Sequence, residues 1–495
     1  MTMINIISRL FLFHFAVIQT AYADENSATI PHSHHHVGCV PKSFNETRDG
    51  SVDKMFAKKI NVASIVGDEK HCFFGFVHSP FKRFPCRNIA MESFIGLSDL
   101  DKHASRTNDV WGWTDHENGG IEYAIIGLDT GTAFVRIDDP INPEVVGFLR
   151  GHTGSGPSIW RDMKTYKDHV YIVAEAFFHG LQIFDMKSLS MLDGVPFSDP
   201  TSIEETPSLG GSSSSKPNQL EATNHIDTFH SAHNLAVNED SATLYVTGAN
   251  SCPGLLIFDL ANATNPEEIG CYNDQWYTHD AQCVTYNEGP DADYHGKEIC
   301  FAFNEDSVDI LDVTNKTDII LISHFTYPNI GYTHQGWLND DKTILFIDDE
   351  MDEYVNLVPK TRTIIADVTD LDNPVLLGEH KGRRRAVDHN LYVKDDFVYQ
   401  SNYRAGLRIL DSSSFKSEKK IGCRLREVSF FDLFIDSASI FSGSWSNYPF
   451  YDSGVVAMSS IEYGLFILKP KLSNEPKLLA NLIASVLKIE LLTLT

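Results

Sequence analysis

Gly254-Leu255-Leu256-Ile257-Phe258-Asp259 decides the fold, because close variants of it recur along the chain. They are Thr132-Ala-Phe-Val-Arg-Ile-Asp138, Gly180-Leu-Gln-Ile-Phe-Asp185, Val308-Asp-Ile-Leu-Asp312, Thr363-Ile-Ile-Ala-Asp367, Gly406-Leu-Arg-Ile-Leu-Asp411 and Gly464-Leu-Phe-Ile-Leu-Lys469. The spacing of roughly 45 to 75 residues is that of repeated four-stranded units with insertions. Short apolar runs bounded by Gly, Asn, Asp and Pro predict strands and turns rather than helices.

Working outward from each copy, the repeat reads as a polar loop, two strands, a third strand carrying the motif, a turn, and a fourth strand. Asn142-Pro143, Asn265-Pro266 and Asn373-Pro374 mark the last turn. There the motif Asp can accept local backbone N–H bonds while Pro presets φ, so the repeated Asp is expected to be a folding device. After Lys469 no fourth strand follows, whereas Met91-Glu-Ser-Phe-Ile-Gly-Leu97 has that pattern without preceding strands. Pairing the two would remove an exposed sheet edge. The expected fold is therefore all-β: a seven-bladed β-propeller closed by an N-terminal strand.

The 495 residues carry 42% hydrophobic and 11% aromatic side chains, enough for a packed core. A formal net charge of −27 repels phosphate backbones, so nucleic acid is not an expected partner. Arg9, the apolar run Leu10–Ile18 and Ala21-Tyr22-Ala23 read as a secretory signal peptide over 1–23. An irregular extension is expected over 24–89, including His32-Ser-His-His-His36, then the propeller over 90–470 and a tail over 471–495. A Ser-rich insertion, 193–228, is expected to interrupt the blades.

Secretion permits disulfides, and the eight cysteines are an even number. Cys252 with Cys271 and Cys283 with Cys300 are the expected pairs, since each lies on neighbouring strands. Cys39, Cys72, Cys86 and Cys423 are scattered. Sequons at Asn45, Asn262 and Asn315 fit a glycoprotein. The tail beyond Pro476 reads as an amphipathic helix that packs on the protein or on a membrane surface, with a processed anchor near Ser473 as the other reading.

Two sets of polar residues recur between the motifs. Arg161-Asp162, His233-Asn234, Thr278-His279-Asp280, Thr333-His334-Gln335 and Asp388-His389-Asn390 precede what read as second strands, and equivalent positions converge near a propeller axis. The turns after those strands hold Glu175, Asn250, Asn304, Glu305, Asp348, Asp349, Glu350 and Asn402. His233, His279, His334, His389 and Asp349 are the candidate ligands for a divalent cation, because imidazole with carboxylate suits zinc, manganese or iron. The competing reading makes the histidines a hydrogen-bond network between blades. Arg161, Glu175, Asn304, Glu305, Asn402 and Arg404 are candidate ligand-binding residues, Arg404 either as an anion clamp or in a plain salt bridge. No nucleophile elbow or phosphate-binding loop is present.

Asn108-Asp-Val-Trp-Gly-Trp-Thr-Asp115, Trp160-Arg-Asp162, Tyr277-Thr-His-Asp-Ala-Gln-Cys283, Gly331-Tyr-Thr-His-Gln-Gly-Trp337, Asp388-His-Asn-Leu-Tyr-Val393 and Tyr399-Gln-Ser-Asn-Tyr-Arg-Ala-Gly406 resemble the choice-of-anchor B proteins built from LVIVD repeats. The resemblance covers about 100 to 470. It implies a secreted or surface-attached propeller with variable C-terminal attachment, and it assigns no activity. Two functions are expected to compete: an extracellular binding or adhesion module for a protein or glycan, and a metal-dependent propeller hydrolase of the lactonase or esterase kind. In the second, His279 or His334 would serve as base.

Overall fold

The computed structural model describes Phe56 and residues 58–192, 219–274, 277–416 and 422–472. The signal peptide, the His32–His36 tract, Cys39, Asn45, the serines 212–215 and the tail beyond 472 lie outside the described residues.

Seven sheets form seven blades around one axis. Their first strands are Thr107–Asp115, Arg161–Tyr166, Asn234–Asn238, Asp280–Thr285, Thr333–Leu338, Leu391–Lys394 and Ser444–Tyr448, in blades 1 to 7. Each packs against the next, and the seventh returns to the first. All seven motif copies lie on third strands, for example Leu255–Asp259 in blade 3 and Leu407–Asp411 in blade 6. The motif is apolar without alternation because each blade is covered on both faces. Leu256 and Phe258 pack with Tyr171 and Leu181 of blade 2, while Leu255 and Ile257 pack with Cys283 and Cys300 of blade 4.

The turn after each third strand uses the motif Asp as expected. Asp185, Asp259, Asp312, Asp367 and Asp411 each accept the backbone N–H two residues on, at 2.7 to 3.0 Å. Blade 1 departs from the pattern. Its β-bulge falls between Phe134 and Val135, as that of blade 3 falls between Ile257 and Phe258, so Arg136 occupies the position of Asp259. Arg136 reaches forward instead to Asp138, with Nε donating to Oδ1 at 2.6 Å.

The ring closes as expected. Ile89–Gly96, buried along its whole length, is the fourth strand of blade 7 and pairs antiparallel with Gly464–Pro470, Phe94 opposite Phe466. Two expectations at the edges need correction. The extension is not irregular throughout: Arg83–Arg87 and Phe76–His78 widen blade 6, and Lys70–His71 widens blade 7. Nor does the insertion run to 228. Asn224–Ile226 is the fourth strand of blade 2 and Gln219–Leu220 pairs parallel with blade 1, both too polar and short to read as strands.

Three disulfides staple the described residues: Cys252–Cys271 from the loop before the third strand of blade 3 to its fourth strand, Cys283–Cys300 between first and second strands of blade 4, and Cys72–Cys86 onto the Arg83–Arg87 strand. Disulfides of this kind are the mark of an extracellular or secreted protein. Cys423 is free. Among the described residues no helix is long and apolar enough to cross a membrane.

Candidate metal centre at the channel mouth

The His-bearing segments open the first strands of their blades, not the second as the sequence suggested. His334 is the second residue of its strand, and His233, His279 and His389 immediately or almost immediately precede theirs. They stand side by side across blades 3 to 6, with successive ring centroids 4.2, 4.2 and 4.4 Å apart.

Each imidazole is held by its Nδ1. His233 meets Glu175 Oε1 at 2.5 Å, His279 the carbonyl oxygen of His334 at 2.8 Å, His334 meets Asp348 Oδ1 at 3.0 Å, and His389 the carbonyl oxygen of Trp445. Carbonyl oxygens only accept, so in His279 and His389 Nδ1 carries the proton and the neutral ring keeps its lone pair on Nε2. His334 shares a proton with Asp348, whose carboxyl burial pushes well above the usual range. Three of these four bonds cross between blades, so the inter-blade network and a metal site are compatible uses of the same rings.

The lone pairs of two rings converge on one carboxylate. Glu350 places Oε2 3.9 Å from His334 Nε2 and Oε1 3.6 Å from His389 Nε2. The ligand atoms of the three residues lie within 4.8 Å of one another. A tetrahedral zinc with bonds near 2.0 Å needs its ligands about 3.3 Å apart, so a small contraction suffices. Burial holds His334 well below the usual imidazole range, assisted by the neighbouring His279 and His389, and burial also lowers His389. Both rings are therefore neutral, the form that binds metal.

Strand alternation sorts the acidic run Asp348-Asp349-Glu350. Successive side chains of a strand face opposite ways, so Asp348 and Glu350 serve the histidines while Asp349 turns away. Asp349 spends its carboxylate on the N–H groups of Gly331, Tyr332, Met351 and Asp352 at 2.8 to 3.2 Å and on the Tyr327 hydroxyl at 3.1 Å. The carboxylate beside the imidazoles is that of Glu350, fixed by a 2.7 Å bond from the Tyr403 hydroxyl.

The candidate ligand-binding residues separate. Glu175 joins the site through His233. Arg161 is buried and turned between blades, with Nε donating to the Leu128 carbonyl at 3.1 Å and Nη1 2.8 Å from His179 Nε2; burial lowers it to about 10. Asn304 Oδ1 accepts from the Thr278 hydroxyl at 2.9 Å, and Glu305 bonds the phenol of the half-buried Tyr332. Asn402 is buried, and its Oδ1 has no partner among the described residues. Arg404 Nη2 donates to both carboxylate oxygens of Asp436 at 2.7 Å, a plain salt bridge, and the guanidinium lies 3.9 Å over the Phe434 ring.

Below the histidines the channel is charged and then sealed. Lys164 Nζ lies 2.6 Å from Asp162 and 3.6 Å from Asp109, over the Trp111 ring. Asp280 is raised to about 7 by burial. Trp111, Trp337, Tyr392, Tyr448 and Phe450, from blades 1, 5, 6 and 7, then pack across the axis with centroids 5.0 to 6.3 Å apart. Neither this plug nor Tyr403 and Trp445 were singled out from sequence, where an aromatic on a first strand is indistinguishable from core.

No family model matches the chain, and no curated protein matches it. Solved structures with similar folds include a Lactobacillus plantarum protein at 12% identity, covering 71% of this chain and 88% of that one, with a TM-score of 0.43. The Myceliophteria thermophila Cps50 (Swd1) β-propeller domain matches at 9% identity over 73% of this chain and 95% of that one, TM-score 0.45. The computationally designed Ika8 protein matches at 11% identity over 82% and 99%, TM-score 0.43. These likenesses say nothing about function.

Proposed function

We propose that the chain is an extracellular binding module whose channel mouth holds one divalent transition-metal ion, of the zinc, manganese or iron class, and through it an oxygen atom of a protein or glycan partner. His334, His389 and Glu350 are the ligands, with His279 beside them. The observation that carries this reading is the convergence of two imidazoles on one carboxylate, each ring anchored by a hydrogen bond at Nδ1. Outer bonds of that kind fix the tautomer and the aim of metal-binding histidines. The net charge of −27 supports a partner other than nucleic acid.

A metal-assisted hydrolase is the second reading, favoured by the ligand count. Two histidines and one glutamate with an open position is a set that catalytic zinc uses, and such a metal polarises a carbonyl. His279, whose ring centroid is 4.2 Å from that of His334, stands where a base would be needed.

Elemental analysis tests both. Purified chain dialysed against zinc is expected to retain one ion, and the His334→Ala and Glu350→Gln variants none. A wild-type chain without metal, whose unfolding temperature ignores chelator, overturns the proposal. Turnover of aryl esters or lactones by the loaded chain, lost in Glu350→Gln, selects the hydrolase.

A further inference from the structure

Phe56 is buried, yet it belongs to no blade. It comes from the segment preceding the closing strand, whose next described residues, 58–60, are exposed or half-buried. The described residues that follow it bond the ring at several points: Ile60 N–H donates to the Glu462 carbonyl at 2.8 Å, Lys59 Nζ to the Ala104 carbonyl at 3.0 Å, and Ile65 exchanges backbone bonds with Phe94 at 2.8 and 2.9 Å.

The Phe56 ring nevertheless sits among three aromatic rings from other elements. Trp160, just before the first strand of blade 2, is 6.1 Å away and edge-on; Phe441, in the loop entering blade 7, is at 5.5 Å; Trp445, at the start of blade 7, is at 5.8 Å. Trp445 in turn lies 5.0 Å from His389 and holds that ring through its carbonyl. Phe441 continues the aromatic lining through Tyr354 and Tyr403, and Tyr403 bonds Glu350.

An aromatic cradle thus adjoins the histidine–glutamate centre, filled by a side chain the ring does not need for closure. Val355 and Leu357, in the loop that carries Tyr354, and Ile435 and Ile440, in the loop that carries Phe441, are exposed.

We propose that the Trp160–Phe441–Trp445 cradle is a ligand subsite and that Phe56 occupies it in place of the ligand. The group recognised is an aromatic or cyclic apolar ring of the partner, joined by a short linker to an oxygen donor; small molecules of that form serve as probes. The apolar group displaces Phe56 while the oxygen reaches the His389 side of the mouth. Its second half rests on the metal reading above; the cradle itself does not. Aromatic packing supplies affinity for any flat apolar ring, so Phe56 acts as a competitor tethered in the chain.

Two probes separate the claims. In metal-free protein, 4-fluorophenol followed by fluorine NMR reports the cradle alone: Phe56→Ala is expected to bind it at least ~10-fold tighter than wild type, with Phe56→Leu between them. In zinc-loaded protein, Phe56→Ala should gain similarly for benzohydroxamate and change little for acetohydroxamate, which has no ring. Unchanged 4-fluorophenol binding in folded Phe56→Ala and Phe56→Leu overturns the subsite and leaves Phe56 as packing. A gain for 4-fluorophenol, with no zinc retained and no hydroxamate bound, keeps the subsite and removes the metal reading. Equal gains for both hydroxamates would instead make Phe56 a general obstruction and overturn the ring-specific role.

Discussion

The two ends of the blades solve different problems. At the far end, five turns repeat one device: an Asp carboxylate accepts the N–H two residues on. At the mouth, first strands open with Asn108, Arg161, His233, His279, His334, His389 and Trp445, whose bonds differ from blade to blade; only His279 and His389 are alike, each meeting a backbone carbonyl of the next blade. A local turn needs nothing from its neighbours, so each copy can be alike. The mouth residues share one axis and can converge on a common point only by differing.

Changes at the far end should therefore cost stability without touching metal, and the staples should behave alike. Replacing Cys283 and Cys300 together by Ser is expected to cost about 2–4 kcal/mol in chemical unfolding, with zinc content unchanged. Loss of zinc in that variant would show that blade 4 transmits strain to the mouth.

The next effect concerns His179, near the mouth in blade 2. Burial, then the Arg161 charge, holds its pKa well below the usual value. The unfolded chain takes up a proton as pH falls below about 6.5 while the folded chain does not, so the stability contributed by this neutral ring is present above that pH and lost below it. His179→Gln should flatten the fall by up to about 1.4 kcal/mol per pH unit, measured by urea unfolding between pH 7 and 5. An unchanged slope would mean that the ring is protonated in the fold.

The smallest effect is at a single turn. Asp259→Ala removes one accepted N–H bond and is expected to cost about 1 kcal/mol, with metal content intact. Arg136→Ala in blade 1 should cost less, because its pair with Asp138 is solvent-exposed. If Asp259→Ala reduced metal binding, the separation of the two ends would fail.

How much of this was legible follows from the same contrast. Third strands were readable because burial on both faces leaves a mostly apolar run, interrupted by Gln182, Asp309 and Arg408 in blades 2, 4 and 6. The closing strand was readable because it has that pattern without companions. Asn224–Ile226 was not, since Ile226 is its only apolar residue and pairing with Leu181–Asp185 rather than composition makes it a strand. Cys72–Cys86 lies beside a hairpin outside the repeats, so no repeat placed it. At the mouth the four histidines could be gathered from their spacing. Which of Asp348, Asp349 and Glu350 faces them depends on strand register, which a list of neighbours does not reveal. Phe56 carries no pattern at all; only its place among Trp160, Phe441 and Trp445 marks it.

Cobalt substitution tests the central claim most directly, because the visible spectrum reports both ligand type and geometry. Chain loaded with Co(II) is expected to show the intense bands of a four- or five-coordinate nitrogen–oxygen site, lost in His334→Ala, His389→Ala and Glu350→Gln and retained in Asp349→Asn if that variant folds. A pale octahedral spectrum, indifferent to all four substitutions, would contradict a metal centre at the mouth.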